Sequence, residues 1–470
     1  GPYGGVPPFD QARVDQLEPA LEAGMAEQLA AIDRIAKNPA PPSFDNVIAA
    51  MERSGRTLER VFTIYGIYTS TLNDEAVRAV ETSMAPKIAA FSDKITQNEQ
   101  LFARIAAVYD ARETSGLTPE QKRLVWLVYT DFVRSGARLD ATAKLKLSEI
   151  NQKLAGLYTR FGQNVLADED GQMLLLDDEA ALAGLPASVR AGAAAAAEAR
   201  GQKGKWAIVN TRSSVEPFLT YSERRDLRER VFRTFVNRGD GGGKTDNNAI
   251  ISEILELRAA RAKLLGYATH AHWRLENTMA RTPERAMELM EAVWKPAVAR
   301  VHEEVADMQA IADAGKAGIS IEPWDYRYYA EKVRKAKYDL DENELKPYLQ
   351  LDKLREGMFY VAERVFGLHF KALPAGKVPV YHPDVTAFEV SDASGRNVGL
   401  WYFDPYARQG KRSGAWMNAY RNQERFDGEV TTIVSNNANF VKPAPGEPVL
   451  ISWTDATTLF HEFGHALHGL

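Results

Sequence analysis

Apolar residues recur at spacings of three and four along most of the chain before residue 340, and this pattern predicts a protein built mainly from helices. The first segment of this kind, residues 11–36, carries Leu17, Leu21, Met25, Leu29 and Ile32. Similar spacing predicts further helices at residues 44–61, 74–95, 99–110, 119–135, 140–166, 186–200, 222–236, 247–265, 283–314 and 323–337. The predicted fold class is therefore mainly α.

The pattern changes to alternating, β-rich segments after about residue 370. Residues 385–390 and 397–403 flank the turn-forming residues 392–396, which predicts a hairpin. Short strands are also predicted at residues 172–176, 206–210 and 430–434. A small sheet is thus expected directly before the last helix of the chain.

Length and composition exclude several classes of protein. With 470 residues, of which 45% are hydrophobic, the chain can bury a large core and favours more than one lobe. The net charge of -5 argues against a nucleic-acid partner, and no apolar run reaches the ~18 residues that a membrane span needs. The chain has no cysteine, so disulfides and thiol catalysis are excluded and a metal site would depend on histidine and carboxylates.

The last predicted helix contains the segment His461-Glu462-Phe463-Gly464-His465. At about 100° per residue, histidines four positions apart lie on one side of a helix, and Glu462 lies beside them. The other side is expected to be buried and holds Leu459, Phe460, Phe463, Ala466, Leu467 and Leu470.

This spacing suits a zinc site. Two neutral imidazoles bind the ion, a third protein ligand completes the set, and a water molecule that the metal acidifies takes the fourth position. Glu462 lies too close in sequence to bind alongside both histidines, but it can take the proton of that water and later pass it to a leaving amine. We predict one Zn²⁺ per active site, with His461 and His465 as ligands and Glu462 as the catalytic base.

One alternative to the zinc site remains, and a third histidine lies nearby. A helix can hold two buried histidines that are satisfied by hydrogen bonds and bind no metal. His468 shares the same side of the helix, and we interpret it as a surface residue or a neighbour of the ligands.

Residues 457–470 resemble the active-site segment of the thimet oligopeptidase family of zinc metallopeptidases (family M3), most closely its bacterial peptidyl-dipeptidase branch, also called dipeptidyl carboxypeptidase. A second match is Trp-Tyr-Phe-Asp-Pro-Tyr-Ala-Arg at residues 401–408. Weaker matches at residues 8–10, 43–46, 52–55 and 264–267 extend the resemblance over the whole chain.

The resemblance implies two helical lobes that flank a deep substrate channel, with zinc at its floor and a small β-sheet beside the zinc-binding helix. It implies that residues 1–270 form a helical channel wall and that residues 271–470 form the catalytic part. Such a channel would admit only short, unstructured peptides. Residues 431–439 are expected to run along the cleft and to pair with the substrate backbone as an added strand, with Asn436, Asn437, Ala438 and Asn439 binding substrate. An ordinary interior strand is the alternative.

The chain departs from the family in one respect. The family's third zinc ligand is a glutamate on the helix after the two histidines, and its transition-state donors lie further on, whereas this chain stops five residues after His465. We expect the 470 residues to be an N-terminal piece whose partner is the C-terminal portion of the same protein, so the catalytic part is incomplete at its C-terminus. Alone, two histidines would hold zinc weakly and activity would be lost.

The predicted function is zinc-dependent hydrolysis of short peptides with release of C-terminal dipeptides. The alternatives are an oligopeptidase that cuts interior bonds and an inactive helical fragment that binds peptides. The absence of cysteine suits either the cytoplasm or the periplasm of a bacterium. Residue preference and oligomeric state do not follow from the sequence.

Overall fold

The computed structural model describes residues 2–339, 342–443 and 446–470. Its contacts divide the chain into two compact units. The unit that we call the sheet unit consists of Gly1–Gln11, Val165–Gly241 and Pro296–Leu470, and the helical unit consists of Ala12–Asn164 and Gly242–Lys295. The division at residue 270, with two lobes around a channel, stays a prediction.

Helices form most of the described chain. In chain order they are α1 (Val14–Ala36), α2 (Ala50–Arg53), α3 (Arg56–Thr71), α4 (Glu75–Thr96), α5 (Glu99–Ala111), α6 (Pro119–Arg134), α7 (Ala141–Gly171), α8 (Ala187–Glu198), α9 (Arg212–Tyr221), α10 (Arg225–Val236), α11 (Asn248–Leu264), α12 (His270–Leu275), α13 (Pro283–Ala314), α14 (Tyr326–Tyr338), α15 (Glu342–Leu345), α16 (Leu351–Phe366) and α17 (Trp453–Gly469). No helix in the described ranges combines the length and the apolarity that a membrane span requires.

The helices of the helical unit begin where side chains can satisfy the free backbone N–H groups of a first turn. Asn98 accepts a hydrogen bond of 2.9 Å from the backbone N–H of Leu101 at the start of α5. At the start of α6, Thr118 and Gln121 exchange side-chain and backbone bonds in a capping box. Local sequence therefore fixes where these helices start, and their buried apolar sides form the core of the unit.

The sheet unit contains two separate sheets. The strands are β1 (Met173–Leu176), β2 (Trp206–Val209), β3 (His369–Ala372), β4 (Thr386–Ser391), β5 (Asn397–Tyr406), β6 (Trp416–Arg421) and β7 (Thr432–Phe440). β1 and β2 form an antiparallel pair, and the other five strands form a sheet in the order β3-β4-β5-β7-β6. This order makes β3 and β6 the edge strands. Only the pair β5 and β7 is parallel, and the other three pairs are antiparallel.

The core of the larger sheet lies between the sheet and two helices, α16 and α17. Trp401 of β5 is fully buried at its centre. Its ring centre lies 5.5 Å from that of Phe463 on α17 and 5.5 Å from that of Phe359 on α16, both in edge-to-face contact. Because these large rings interlock, the positions of both helices follow from the sheet.

A buried group of charged side chains lies at the C-terminal end of β5. Asp404 is fully buried and accepts two hydrogen bonds of 2.7 Å from Arg408 and one of 2.8 Å from the Tyr381 hydroxyl, while the Lys411 ammonium lies 2.9 Å from its Oδ1. Burial alone would raise the pKa of Asp404, but the hydrogen bonds from Arg408 and the charge of Lys411 hold that pKa below its ordinary value. The carboxylate is therefore ionised and compensated.

The prediction of a mainly α chain with a small sheet beside the His-Glu-x-x-His helix is confirmed. Most predicted helices lie within a few residues of observed ones. The helix predicted at residues 44–61 is wrong, because Gly55 adopts a left-handed conformation (φ 84°) that separates α2 from α3.

The elements that were not expected from the sequence include α9, α16 and β6. α9 contains Pro217 in its interior, a residue that normally interrupts a helical pattern. β6 is short, and its register against β7 shifts between Ala419 and Arg421. α16 does carry a helical repeat of buried residues, Leu351, Met358 and Ala362, although no helix was predicted there.

Replacing Asp404 by Asn should lower the free energy of unfolding by roughly 3–5 kcal/mol at pH 7, because Arg408 and Lys411 would stay buried without their anion. Since the folded pKa of Asp404 is depressed, its contribution is present above the ordinary aspartate pKa and is lost as the pH falls through the folded value. Denaturant titrations should therefore show the difference from wild type shrinking below about pH 4.

The matched control is Asp226→Asn, which removes the carboxylate from an exposed pair with Arg224. Its denaturation midpoint should stay close to that of the wild type. Equal losses in the two variants would show that the buried charges at Asp404 have no special role.

Candidate active site

The start of α17 is fixed by a capping box. The Ser452 hydroxyl accepts a hydrogen bond of 3.0 Å from the backbone N–H of Asp455, and the Asp455 carboxylate accepts bonds of 3.3 Å and 2.9 Å from the Ser452 N–H and hydroxyl. A negative charge in the first turn also suits the positive end of the helix dipole. The start of the helix is therefore fixed about two turns ahead of the His-Glu-x-x-His segment.

The apolar side of α17 packs on the sheet as the helical wheel predicts. Leu459, Phe463 and Ala466 are buried, whereas Phe460, also expected to be buried, is 41% exposed. A polar contact adds to this packing, because the Asn436 amide of β7 donates a hydrogen bond of 2.6 Å to the main-chain carbonyl of Glu462. The rotation of the helix about its axis is thereby fixed.

His461 and His465 lie next to each other on the opposite, exposed side of the helix. Their Nε2 atoms are 3.1 Å apart, and their ring planes are inclined by 80° with centres 4.8 Å apart. The alternative of two buried histidines is wrong, since both residues are exposed. His468 is exposed as well, in keeping with its interpretation as a surface residue.

The separation of the two imidazoles suits two ligands of one zinc ion. With Zn–N bonds of about 2.0–2.1 Å and tetrahedral angles, two ligand nitrogens lie about 3.3–3.4 Å apart, close to the observed 3.1 Å. A hydrogen bond between neutral imidazoles has a similar length. Among the described residues no group of three or more His, Asp or Glu side chains is arranged to hold a metal ion, so a third ligand from elsewhere stays a prediction.

Glu462 shares an open cleft with His461. The cleft has a volume of about 310 Å³ and is lined by Arg212, Ala415, Thr457, Thr458, His461 and Glu462. Thr457 and Thr458 donate their hydroxyl protons to carbonyls of their own helix. The titratable or charged side chains left to meet a molecule in the cleft are therefore the His461 imidazole, the Glu462 carboxylate and the Arg212 guanidinium.

β7 is an interior strand. Its backbone pairs with β5 on one side and, over residues 433–437, with β6 on the other. The hypothesis that a peptide adds to this strand is therefore wrong for those residues, because their backbone groups on both edges already have partners. Within this sheet, only the edge strands β3 and β6 offer a free side.

The four residues predicted to bind substrate are all buried. The Asn436 amide bridges the Trp401 indole and α17, and the Asn437 side chain lies between the hydroxyls of Ser435 and Tyr381. Both side chains therefore form hydrogen bonds within the protein. Ala438 and Asn439 line a smaller cavity next to the cleft, and their contact with substrate stays a prediction.

The loop that leads into β6 is held from several sides. Lys411 donates a hydrogen bond of 3.0 Å to the main-chain carbonyl of Asp404, and its burial lowers its pKa to about 8. The Asn439 amide donates to the carbonyls of Arg412 and Gly414 at 2.9 Å and 2.7 Å. Ala415, which follows directly, is thereby kept at the wall of the cleft.

Sequence reasoning missed two of the cleft residues, Arg212 and Ala415. Arg212 lies some 250 residues before the histidines and starts a helix that was not predicted. Its signal was present, since Val215, Phe218 and Leu219 have helical spacing and are buried. Nothing in the local sequence indicates that this helix begins beside α17.

The family model of Peptidase family M3 matches residues 218–470, a region that includes the paired histidines, Glu462 and the larger sheet. This chain belongs to peptidase family M3. Peptidase family M3 is a family of zinc metallopeptidases, so the predicted resemblance and the prediction of a metallopeptidase are confirmed.

Relatives within family M3 carry two different activity names. The chain is 38% identical to dipeptidyl carboxypeptidase of Escherichia coli over 466 residues, which is 99% of this chain and 68% of that protein. It is 33% identical to oligopeptidase A of Salmonella typhimurium, over 98% of this chain and 68% of that protein. A probable thimet oligopeptidase of Arabidopsis thaliana is 25% identical over 83% of this chain and 53% of its own length.

Replacing either His461 or His465 by Ala should weaken zinc binding by more than about tenfold, because each change removes a direct ligand. Competition with a chromophoric chelator measures the affinity. His468→Ala is the matched control on the same side of α17 and should bind zinc like the wild type. If His468→Ala lowered the affinity as much as the other two changes, the assignment of His461 and His465 as the ligand pair would have to be abandoned.

Proposed function

We propose that the chain is the part of a zinc-dependent peptidase that holds the metal-binding pair and the catalytic base, acting on short peptides and releasing C-terminal dipeptides. One observation carries the proposal: His461, whose imidazole lies 3.1 Å from that of His465, lines an open cleft together with the carboxylate of Glu462 in a family M3 chain. Relatives named as a carboxypeptidase and as an oligopeptidase support a peptide substrate.

His461 and His465 would hold the zinc ion, which when bound supplies acidity to water and polarises a peptide carbonyl. Glu462 acts as general base: its carboxylate takes a proton from the attacking water and delivers that proton to the leaving amine nitrogen. The Asn436 contact holds the Glu462 backbone in place, so the carboxylate needs little reorganisation to reach its proton.

The substrate backbone pairs with the outer edge of β6 in this proposal. β6 is the edge strand next to β7, and Ala415 at its start lines the cleft together with His461 and Glu462. A peptide added there would form main-chain hydrogen bonds independent of its side chains, which suits an enzyme of broad sequence preference. This edge takes over the role that the sequence analysis assigned to β7.

Replacing Glu462 by Gln should lower kcat by at least about 100-fold while zinc binding is retained, because the amide keeps the shape but cannot accept the proton. Hydrolysis of a quenched fluorescent peptide and the bound zinc content are measured on the same sample. A chelator should abolish turnover in the wild type and added zinc should restore it.

Glu356→Gln is the matched control, since Glu356 is an exposed residue of α16 paired with Lys353. It should hydrolyse the peptide like the wild type. Undiminished turnover by Glu462→Gln would refute the role of Glu462 as the base.

An enzyme that releases C-terminal dipeptides must recognise the free C-terminus of its substrate, whereas an oligopeptidase that cuts interior bonds has no such requirement. A peptide with a free C-terminal carboxylate should therefore be cut at least about tenfold faster, in kcat/KM, than its C-terminally amidated twin. Mass spectrometry of the products identifies the bond that is cut. Equal kcat/KM values for the two peptides, with cleavage at interior bonds, would favour the oligopeptidase alternative. The relatives named oligopeptidase A carry that activity in their name.

A further inference from the structure

Arg212 lies where the catalytic cleft meets a second cavity. It lines the cleft beside His461 and Glu462, and it also lines the smaller cavity formed with Ser213, Ser413, Gly414, Ala438 and Asn439. Ala415 and Thr458 line both spaces as well, so the two are neighbours with Arg212 at their junction. Arg212 can therefore contact a molecule bound beside Glu462 in the cleft.

The charge of Arg212 is only weakly compensated by its acidic neighbour. The guanidinium Nη2 lies 4.0 Å from Oδ1 of Asp455, too far for a hydrogen bond. The other oxygen of Asp455 accepts the bonds of the Ser452 capping box. The Arg212 side chain keeps 37% of its surface exposed, so its donors can reach a ligand in the cleft.

Arg212 and the start of its helix favour an anion as that ligand. Arg212 is the only lysine or arginine among the described residues that line either cavity. It is also the first residue of α9, a helix of ten residues with no side-chain cap at its start, so the positive end of the helix dipole adds to its charge. A planar guanidinium with five donors matches the two oxygens of a carboxylate.

We propose that Arg212 binds a carboxylate of the peptide substrate and so makes the cleft selective for peptides that present one near the scissile bond. The inference rests on the proposed function and names its substrate class. The carboxylate is either the C-terminus of the peptide or an acidic side chain, and the chemistry of recognition is the same.

Three peptides of one sequence separate these sources: the free acid with Gln near its C-terminus, the amide of that peptide, and the amide with Glu in place of the Gln. Wild type should prefer one or both of the carboxylate-bearing peptides over the neutral amide by about 10- to 100-fold in kcat/KM. Arg212→Gln should remove that preference through KM, so that all three are cleaved alike, and Arg212→Lys should restore part of it.

Arg200→Gln is the control, because Arg200 is an exposed arginine two residues after the end of α8 whose guanidinium donates to the Ala196 carbonyl. It should keep the preference of the wild type. The proposal is overturned if Arg212→Gln keeps the preference, or if it slows all three peptides by the same factor.

Binding measured without turnover keeps this inference apart from the proposed function. In the Glu462→Gln background, fluorescence anisotropy gives the Kd of each labelled peptide with and without Arg212→Gln. Tighter binding of the carboxylate peptides that disappears with Arg212→Gln supports the role of Arg212 even if the wild type hydrolyses nothing. Turnover with no difference in Kd among the peptides removes the role of Arg212 and leaves the peptidase proposal intact.

Discussion

The side-chain amide of Asn436 is the contact on which the geometry of the candidate site depends. It accepts a hydrogen bond of 2.7 Å from the Trp401 indole and donates one of 2.6 Å to the Glu462 carbonyl, and it is almost fully buried. A buried amide with both ends satisfied is stable only in this arrangement, because rotation of α17 would leave polar groups without partners. The packing of Phe463 against Trp401 acts in the same sense. The two histidines are therefore directed outward by contacts on the opposite side of their helix.

The order of the strands then determines what can approach this helix. β7 contacts α17 and is enclosed by β5 and β6, so it serves as a support and β6 forms the accessible edge. The loop before β6 is held by buried bonds from Lys411 and Asn439, and Ser413 donates a further bond of 2.6 Å to Glu169. Because the loop before it is already ordered, β6 would pay little entropy on pairing with an extended peptide, as the proposed function requires. In that proposal the polar residues of the sheet act by holding β6 and α17 in position.

The confirmed predictions of the fold rest on the spacing of apolar residues within single helices and strands. The wheel of residues 453–469 separates an apolar side from His461 and His465, and apart from the exposed Phe460 its buried and exposed sides follow from that pattern. The sequence could not show which strand lies inside the sheet, because strands with the composition of β6 and β7 occur at edges and in interiors alike. Pairing order depends on contacts between segments far apart in the chain. For the same reason Arg212, more than 200 residues from α17, did not enter the predicted site.

The charges around the cleft define what Arg212 would contribute to the proposed binding of a carboxylate. Glu462 is a carboxylate in the cleft and Asp455 is another at its margin, so a peptide that brings its own carboxylate meets repulsion from both. In the partly enclosed cleft this repulsion is screened less than in bulk water. Arg212 is the first residue of α9, and its positive charge would offset the repulsion without competing with the histidines for a metal, since a guanidinium is not a ligand. Under the proposed function, a neutral residue at this position would leave the cleft best suited to uncharged peptide segments, whereas Arg212 favours a peptide that presents a carboxylate.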